Sequence, residues 1–487
     1  ATMDVINRFS QGTVPAVVLD RTFQQSIWDE YIETAERFNE PGRFTAIIGY
    51  EWTSTENGNN LHRNVLYRDG GDVARKMVPY TTAESFNPED LWKWMARYEE
   101  ATGGRVLALA HNGNMSNGIM FPVETNPATG KALTGDYAKD RARWEPLYET
   151  TQIKGDGETH PLLSPDDAFA DFETLALGNL NLTVVKTDDM YQYEYTREAL
   201  KNGLKLETEL GTNPYKFGLV GSSDTHTALA AVEEENYIGK HAGTEPSEER
   251  WNHPMAKFAG RQYDGFAMSA SGYAAVWATE NTREALWDAM WRKEVYATTG
   301  PRMLVRFFGG WDFVEADANN RLPAGVGYSK GVPMGGDLDA APAGKSPTFL
   351  VAALKDPYSG NLDRIQIVKG RLDASGNTHE KVYDVVWADA ETRKPGKDGQ
   401  LTPVGNTVDV KNATWTNTIG DPELLAVWKD PDFDPSLKAF YYVRVLEIPT
   451  PRWTAYDAKR YGITDMPDNV LMHLQERAYT SPIWYAP

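Results

Sequence analysis

Apolar positions in the first 300 residues alternate between two periods. Phe23, Ile27, Tyr31 and Phe38 recur at near-helical spacing and predict an amphipathic helix over 23–38. The continuous apolar run at 44–49 then predicts a buried strand. The pair of signals returns at 88–100, where Pro88 suits a first helical turn and Leu91, Trp94, Met95 and Tyr98 share a face, followed by the strand-like run 105–110. Segments 164–175 and 193–204 read as helices and 216–221 as a strand. Asn281-Thr282-Arg283-Glu284 fits a capping box that opens a helix through Trp287, Met290 and Trp291. Helices alternating with buried strands indicate an α/β layer or barrel.

The pattern changes after Thr299-Gly300-Pro301. Short β-rich runs at 303–308, 348–353, 364–368, 382–387 and 439–446 are separated by Gly, Pro, Asp and Asn turns, and 389–401 is a polar loop. This predicts an all-β, sandwich-like domain. Two domains are expected, 1–300 and 301–487, with no short-period repeat.

Length and composition narrow the chemistry. A chain of 487 residues has room for two to four domains with real cores. It contains no cysteine, which excludes disulfides, zinc ribbons, thiol nucleophiles and iron–sulfur clusters. No apolar run reaches membrane-spanning length, and no basic-then-apolar leader opens the chain, so neither a membrane helix nor an uncleaved signal peptide is expected. The formal net charge is −20, and residues 1–300 carry 45 of the 69 acids against 28 of the 49 bases. A field of this sign repels nucleic acid and anionic membrane. Solubility accounts for most of it; the sharper reading is that some carboxylates of the first part hold metal ions.

Eight histidines are present, and a single histidine near an apolar run is most often structural. Position makes three places stand out. Glu51 follows the 44–50 run, His111 follows Ala110, and Asp224 and His226 follow the strand through Val220. Strand C-terminal ends are where parallel α/β folds build active sites. In an extended segment Asp224 and His226 face one side; the alternative is a turn in which Asp224 caps backbone amides. The Ser/Thr/Asn/Gly-rich loop 53–60 lets the chain reverse, so that His62 returns beside Glu51, or it is an ordinary surface turn. Arg63, Lys154, His160 and Arg302 sit near these positions, and cations beside divalent metals suit an anionic ester. Each taken singly also suits surface or packing.

Gly49-Tyr50-Glu51, Leu61-His62, Leu109-Ala110-His111-Asn112 and Gly221-Ser222-Ser223-Asp224-Thr225-His226 resemble, in order, the later motifs of the PHP (polymerase and histidinol phosphatase) superfamily. Gly-Tyr-Glu-Trp-Thr-Ser, Asn-Leu-His-Arg-Asn-Val, Thr-Gln-Ile-Lys-Gly-Asp-Gly-Glu-Thr-His-Pro, Tyr-Ala-Thr-Thr-Gly-Pro-Arg and Ser-Pro-Ile-Trp-Tyr are similar to a PHP-related bacterial family, domain of unknown function 3604, from about residue 20 onward. The resemblance implies a distorted (β/α)₇ barrel carrying a C-terminal β-sandwich-like domain. It implies Glu51, His62, His111, Asp224 and His226 as ligands of two or three divalent ions (Mn, Zn or Fe). The family's His-x-His and Asp-His motifs have no counterpart before His62, so the first barrel strands are expected to be missing from this chain and to come from an N-terminal segment of the same precursor.

The function this implies is metal-dependent hydrolysis of a phosphoester or related small anionic substrate by a metal-activated water. Lys154, Arg63 or Arg302 would neutralise substrate oxygens, and His160 would protonate the leaving group. An amidohydrolase-like reaction uses the same metals. A rival of another class is a carbohydrate- or polymer-binding structural protein with a degenerate metal site, which predicts an exposed stripe of Trp52, Trp277, Trp311 and Trp484. A periplasmic or secreted location is expected, with the cytoplasm left open, and homo-oligomerisation is a further expectation.

Overall fold

The structure is a computed structural model that describes residue 13 and residues 16–487, apart from 242, 259, 321 and 398. It is a mixed α/β molecule built around three sheets. The first has six strands: β1 (Gly49–Trp52), β2 (Arg63–Tyr67), β3 (Val106–Ala110), β4 (Leu147–Gln152), β5 (Gly155–Asp156) and β6 (Gly218–Gly221). β1, β2 and β3 pair antiparallel in turn, β4 lies parallel to both β3 and β6, and β5 folds back on β4. Every residue of β3, β4 and β6 is buried; this matches the apolar sequence of β3 and β6, whereas β4 carries Glu149, Thr150, Thr151 and Gln152 into the interior.

The helices follow local rules. In Arg21–Phe38 the Asp20 carboxylate caps the Phe23 amide at 2.9 Å. Pro88–Thr102 starts from the Asn87 cap and stops at Gly103, whose φ of 74° needs a glycine. Thr196–Leu210 stops the same way at Gly211. The helix Arg283–Trp291 is capped by Thr282, which accepts from Ala285, rather than by Asn281. The first helix forms where its spacing predicts but buries a different face. Phe23, Ile27, Tyr31 and Phe38 are 41–59% exposed, while Trp28 and Ile32 are buried, with Trp28 packed on Tyr50 and Tyr67. The helix expected over 164–175 does not form. That segment is a series of turns, and Asp167 within it is committed to Arg197 and Arg444.

The distorted (β/α)₇ barrel, short of its first strands, that the resemblance implies does not appear as a closed barrel: among the described residues the six strands make an open sheet. Closure demands strands on both edges in register, and here β1 pairs with β2 alone. β6 instead passes close under the strand Val295–Thr298, where a Cβ on Gly221 would lie 2.8 Å from the Thr298 carbonyl.

The other two sheets make a sandwich. Leu304–Gly310, Thr348–Leu354 and Glu423–Lys429, with Gly331–Pro333 at one edge, form the smaller. The larger has seven strands, with Leu362–Leu372 and Ala439–Glu447 at its centre. Phe307, Phe349, Val351, Ile367, Tyr441 and Val443 fill the space between the two, Phe349 lying 4.5 Å from Tyr441. The large sheet continues across residue 300, because Val295–Thr298 pairs with Arg477–Thr480 on one side and with Tyr273–Val276 on the other.

A buried ion network joins the first sheet to the sandwich. Arg197 reaches Glu158 at 2.6 Å and Asp167 at 2.8 Å, and Arg444 reaches Glu158 at 3.2 Å and Asp167 at 2.7 Å, both arginines being fully buried. Burial pushes the Asp167 carboxyl up, but the two guanidinium charges outweigh it and hold it well below the usual range. No helix of the described residues is long and apolar enough to cross a membrane.

Glu447 makes a testable contrast. It is fully buried, one carboxylate oxygen has no partner, and burial raises its carboxyl to about 8 against the opposing Ser359 hydrogen bond. A raised carboxyl favours the folded state where the proton is kept. Its contribution is therefore full below the ordinary carboxylate range, about pH 4, and is lost as pH rises through 8. Urea unfolding at pH 6 and pH 9 is expected to show Glu447→Gln losing less stability over that interval than the wild type, and an identical loss would refute the assignment.

Candidate metal centre

β1, β3, β4 and β6 point the same way and β2 runs against them, so four strand C-termini and the start of β2 lie on one rim. Glu51 stands in β1, His62 leads into β2, His111 follows β3, Lys154 sits in the turn between β4 and β5, and Asp224 follows β6. The hairpin return after β1 forms as its turn residues permit: Glu51 pairs across from Asn64, bringing His62 beside it.

Glu51, His62 and His111 converge. One ligand atom from each lies within 4.8 Å of the others. Glu51 Oε1 is 2.7 Å from His62 Nδ1 and 3.9 Å from His111 Nε2, and Thr53 Oγ1 donates to it at 3.0 Å. The two imidazoles meet edge to face at 5.5 Å. Outer partners hold the rings: Thr55 Oγ1 lies 2.8 Å from His62 Nε2, and the Asn64 side-chain amide lies 3.2 Å from His111 Nδ1. His111 Nε2 is buried and has no hydrogen-bond partner, an orphan that a cation would satisfy.

The local electrostatics suit a cation. Burial pushes the Glu51 carboxyl up, yet His62 and then His111 outweigh it, and the group is held well below the usual range. Burial lowers His111 to about 3, so at neutral pH its imidazole is in the uncharged form that ligates metals. A carboxylate with two imidazoles and no thiolate fits a borderline divalent ion such as Mn, Fe or Zn.

A second group adjoins the first. Asp224 Oδ1 is 2.8 Å from Lys240 Nζ and 3.4 Å from His226 Nε2; Oδ2 accepts from Gln152 at 2.7 Å and pairs with Lys154. Burial opposes ionisation of Asp224, but Lys154, His226 and Lys240 hold its pKa well below the usual range. Asp224 has a φ of 48°, so of the two readings 222–226 is a loop rather than extended, and the Asp224 carboxylate meets His226, Lys154, Lys240 and Gln152. Glu149 in β4 is buried, accepts from Ser222 at one oxygen and has no partner at the other; burial, then the charge of Asp224, raises it to about 8.

Of the five ligand candidates, Glu51, His62 and His111 thus share one cluster, while Asp224 and the exposed His226 belong to the adjoining group, which also holds Lys154. Three other expected residues are placed elsewhere. Arg63 is buried against Glu145 at 2.9 Å, where Trp92 and Arg141 also converge. His160 stacks on Tyr191 at 4.1 Å and accepts from the Leu162 amide. Arg302 lies exposed over Tyr273 and beside Glu233. Sequence reasoning missed Lys240, Glu149 and Gln152. The signal for Glu149 was available: a charged residue inside a wholly buried strand. The Trp stripe does not form. Trp52 and Trp484 are buried, and Trp277 and Trp311 pack against the sandwich core.

Residues 2–487 match the profile of the family described as protein of unknown function (DUF3604). The chain belongs to that family. No curated protein and no solved structure matched it.

The burial of Arg63 separates packing from chemistry. Arg63→Met removes one partner of a buried ion pair and is expected to cost about 3–5 kcal/mol in denaturant unfolding. Metal uptake by the folded variant is expected to be unchanged; loss of metal without loss of stability would return Arg63 to the site.

Proposed function

We propose that this DUF3604 protein is a metal-dependent hydrolase of a phosphoester or related anionic ester, on a PHP-type frame. The observation that carries the reading is the Glu51–His62–His111 cluster with its orphaned His111 Nε2, set beside two lysines. A divalent ion bound there supplies an acidified water as nucleophile and polarises the ester. Lys154 and Lys240, both buried on Asp224, are the cations that would turn to an incoming anionic substrate. Their departure would free Asp224, with His226 and Glu149 near it, as oxygen and imidazole donors for a second ion, in line with a complement of two or three ions (Mn, Zn or Fe). Lys154 fills the role expected of the cationic group, while Arg63, Arg302 and His160 take no part in this reading.

Metal analysis of protein purified without chelators tests this. The wild type is expected to retain a transition metal, and Glu51→Gln and Asp224→Ala to lose most of it. Hydrolysis across a panel of aryl phosphates, phosphonates, sulfates and amides is expected to fall by about a hundredfold in both variants. A wild type without transition metal after growth with Mn, Zn and Fe, even when extended by an N-terminal His-x-His segment, sinks the reading. Hydrolysis confined to amides moves it to the amidohydrolase class.

A further inference from the structure

A groove lies away from the metal-site cluster. Its volume is about 560 Å³, and it runs between the strand Thr378–Trp387, the loop around 395–405 and the turn that carries Asp166 and Phe169. None of Glu51, His62, His111 or Asp224 lines it. We propose that this groove binds a neutral oligosaccharide through the Trp387 ring and the Asp384 carboxylate.

The walls are built rather than incidental. The connection 388–422 is long for a compact domain, the kind of loop that usually carries function. Arg393 pins it: its guanidinium donates to the Ala388 carbonyl at 3.0 Å, the Thr402 carbonyl at 3.1 Å and Asp363 Oδ1 at 2.6 Å. Trp387 Nε1 donates to the Arg393 carbonyl at 3.0 Å, so the indole is fixed with its polar atom already used. A wall held this way loses little entropy when a ligand arrives.

The lining selects the ligand class. Trp387, Phe169, Tyr383 and Trp428 supply aromatic surface, which suits the C–H face of a sugar ring. Asp384 is oriented by Arg364 at 3.0 Å and Gln366 at 2.8 Å, and each carboxylate oxygen retains capacity for another donor such as a hydroxyl. Asp167 is spent on Arg197 and Arg444, and Asp363 on Arg393 and Arg364, so the carboxylates left to meet a ligand are Asp166 and Asp384, which disfavour an anion. A purely apolar ligand would strand these two carboxylates without solvent. An uncharged molecule with many hydroxyl donors and a flat apolar face meets both demands, and the volume falls within the usual 300–1,000 Å³ of ligand sites.

Titration calorimetry of the whole protein with cellohexaose, mannohexaose, maltohexaose and xylohexaose is the test, with hexagalacturonate and a glucosamine hexamer as anionic and cationic comparators. At least one neutral hexamer is expected to bind. Trp387→Ala and Asp384→Asn are each expected to weaken it by about tenfold or more, with Trp387→Phe losing less. Glu51→Gln, which tests the metal reading, is expected to leave sugar binding intact, so the two ideas fail separately. If Trp387→Ala does not fold, Asp384→Asn and Trp387→Phe decide. Binding of no neutral hexamer, binding of the charged oligomers only, or neutral binding indifferent to the groove substitutions overturns the proposal.

Discussion

Two arginines and two carboxylates, buried together at one junction, tie the first sheet's surroundings to the sandwich. Arg197 rises from the helix Thr196–Leu210 and Arg444 from the central strand Ala439–Glu447, and both grip Glu158 and Asp167. Removing four charges from water costs several kcal/mol per ion, which only near-complete pairing offsets. The pairing is near-complete: Gln366, Tyr442 and Glu380 satisfy further donors and acceptors around the same four groups. Glu158 lies two residues beyond β5, so the geometry that seats the sandwich also braces the β4–β5 turn and, through it, Lys154. A loosened junction would therefore be felt at the rim.

The rim itself is an electrostatic compromise. Glu51, Asp224 and Glu149 crowd the same small region, and Lys154, Lys240 and the imidazoles balance them. Each cation that leaves Asp224 must be replaced by another positive charge, because an unpaired carboxylate there is buried.

Much of the local structure was legible from the chain. The spacing around Leu91, Trp94 and Met95 identified its helix, and the apolar runs ending at Ala110 and Gly221 identified two strands that are wholly buried. Glu51 and His111 stand at the ends of apolar runs and His62 follows the turn that returns the chain beside Glu51, and the three do converge. Other inferences failed for identifiable reasons. The stripe Phe23–Ile27–Tyr31 looked like a core face, but Trp28 and Ile32 are the buried residues, and Tyr50 and Tyr67 offer Trp28 aromatic partners. The 164–175 helix lost to ion pairing of Asp167. Lys240 carries no local mark at all; only the loop path that returns it to Asp224 makes it part of the site.

The sequence alone determined the ligand chemistry. Without cysteine, any metal here is held by oxygen and imidazole, and the turn residues after β1 set where the chain reverses. Only the tertiary structure decided which neighbours share a site. His62 and Arg63 are adjacent, yet one faces Glu51 and the other is buried against Glu145, since successive residues leave a strand on opposite sides. Strand order and direction, which depend on packing between segments far apart in sequence, bring residues 51, 62, 111, 154 and 224 to one rim and leave 160 and 302 elsewhere. Periodicity is a local property; convergence is not.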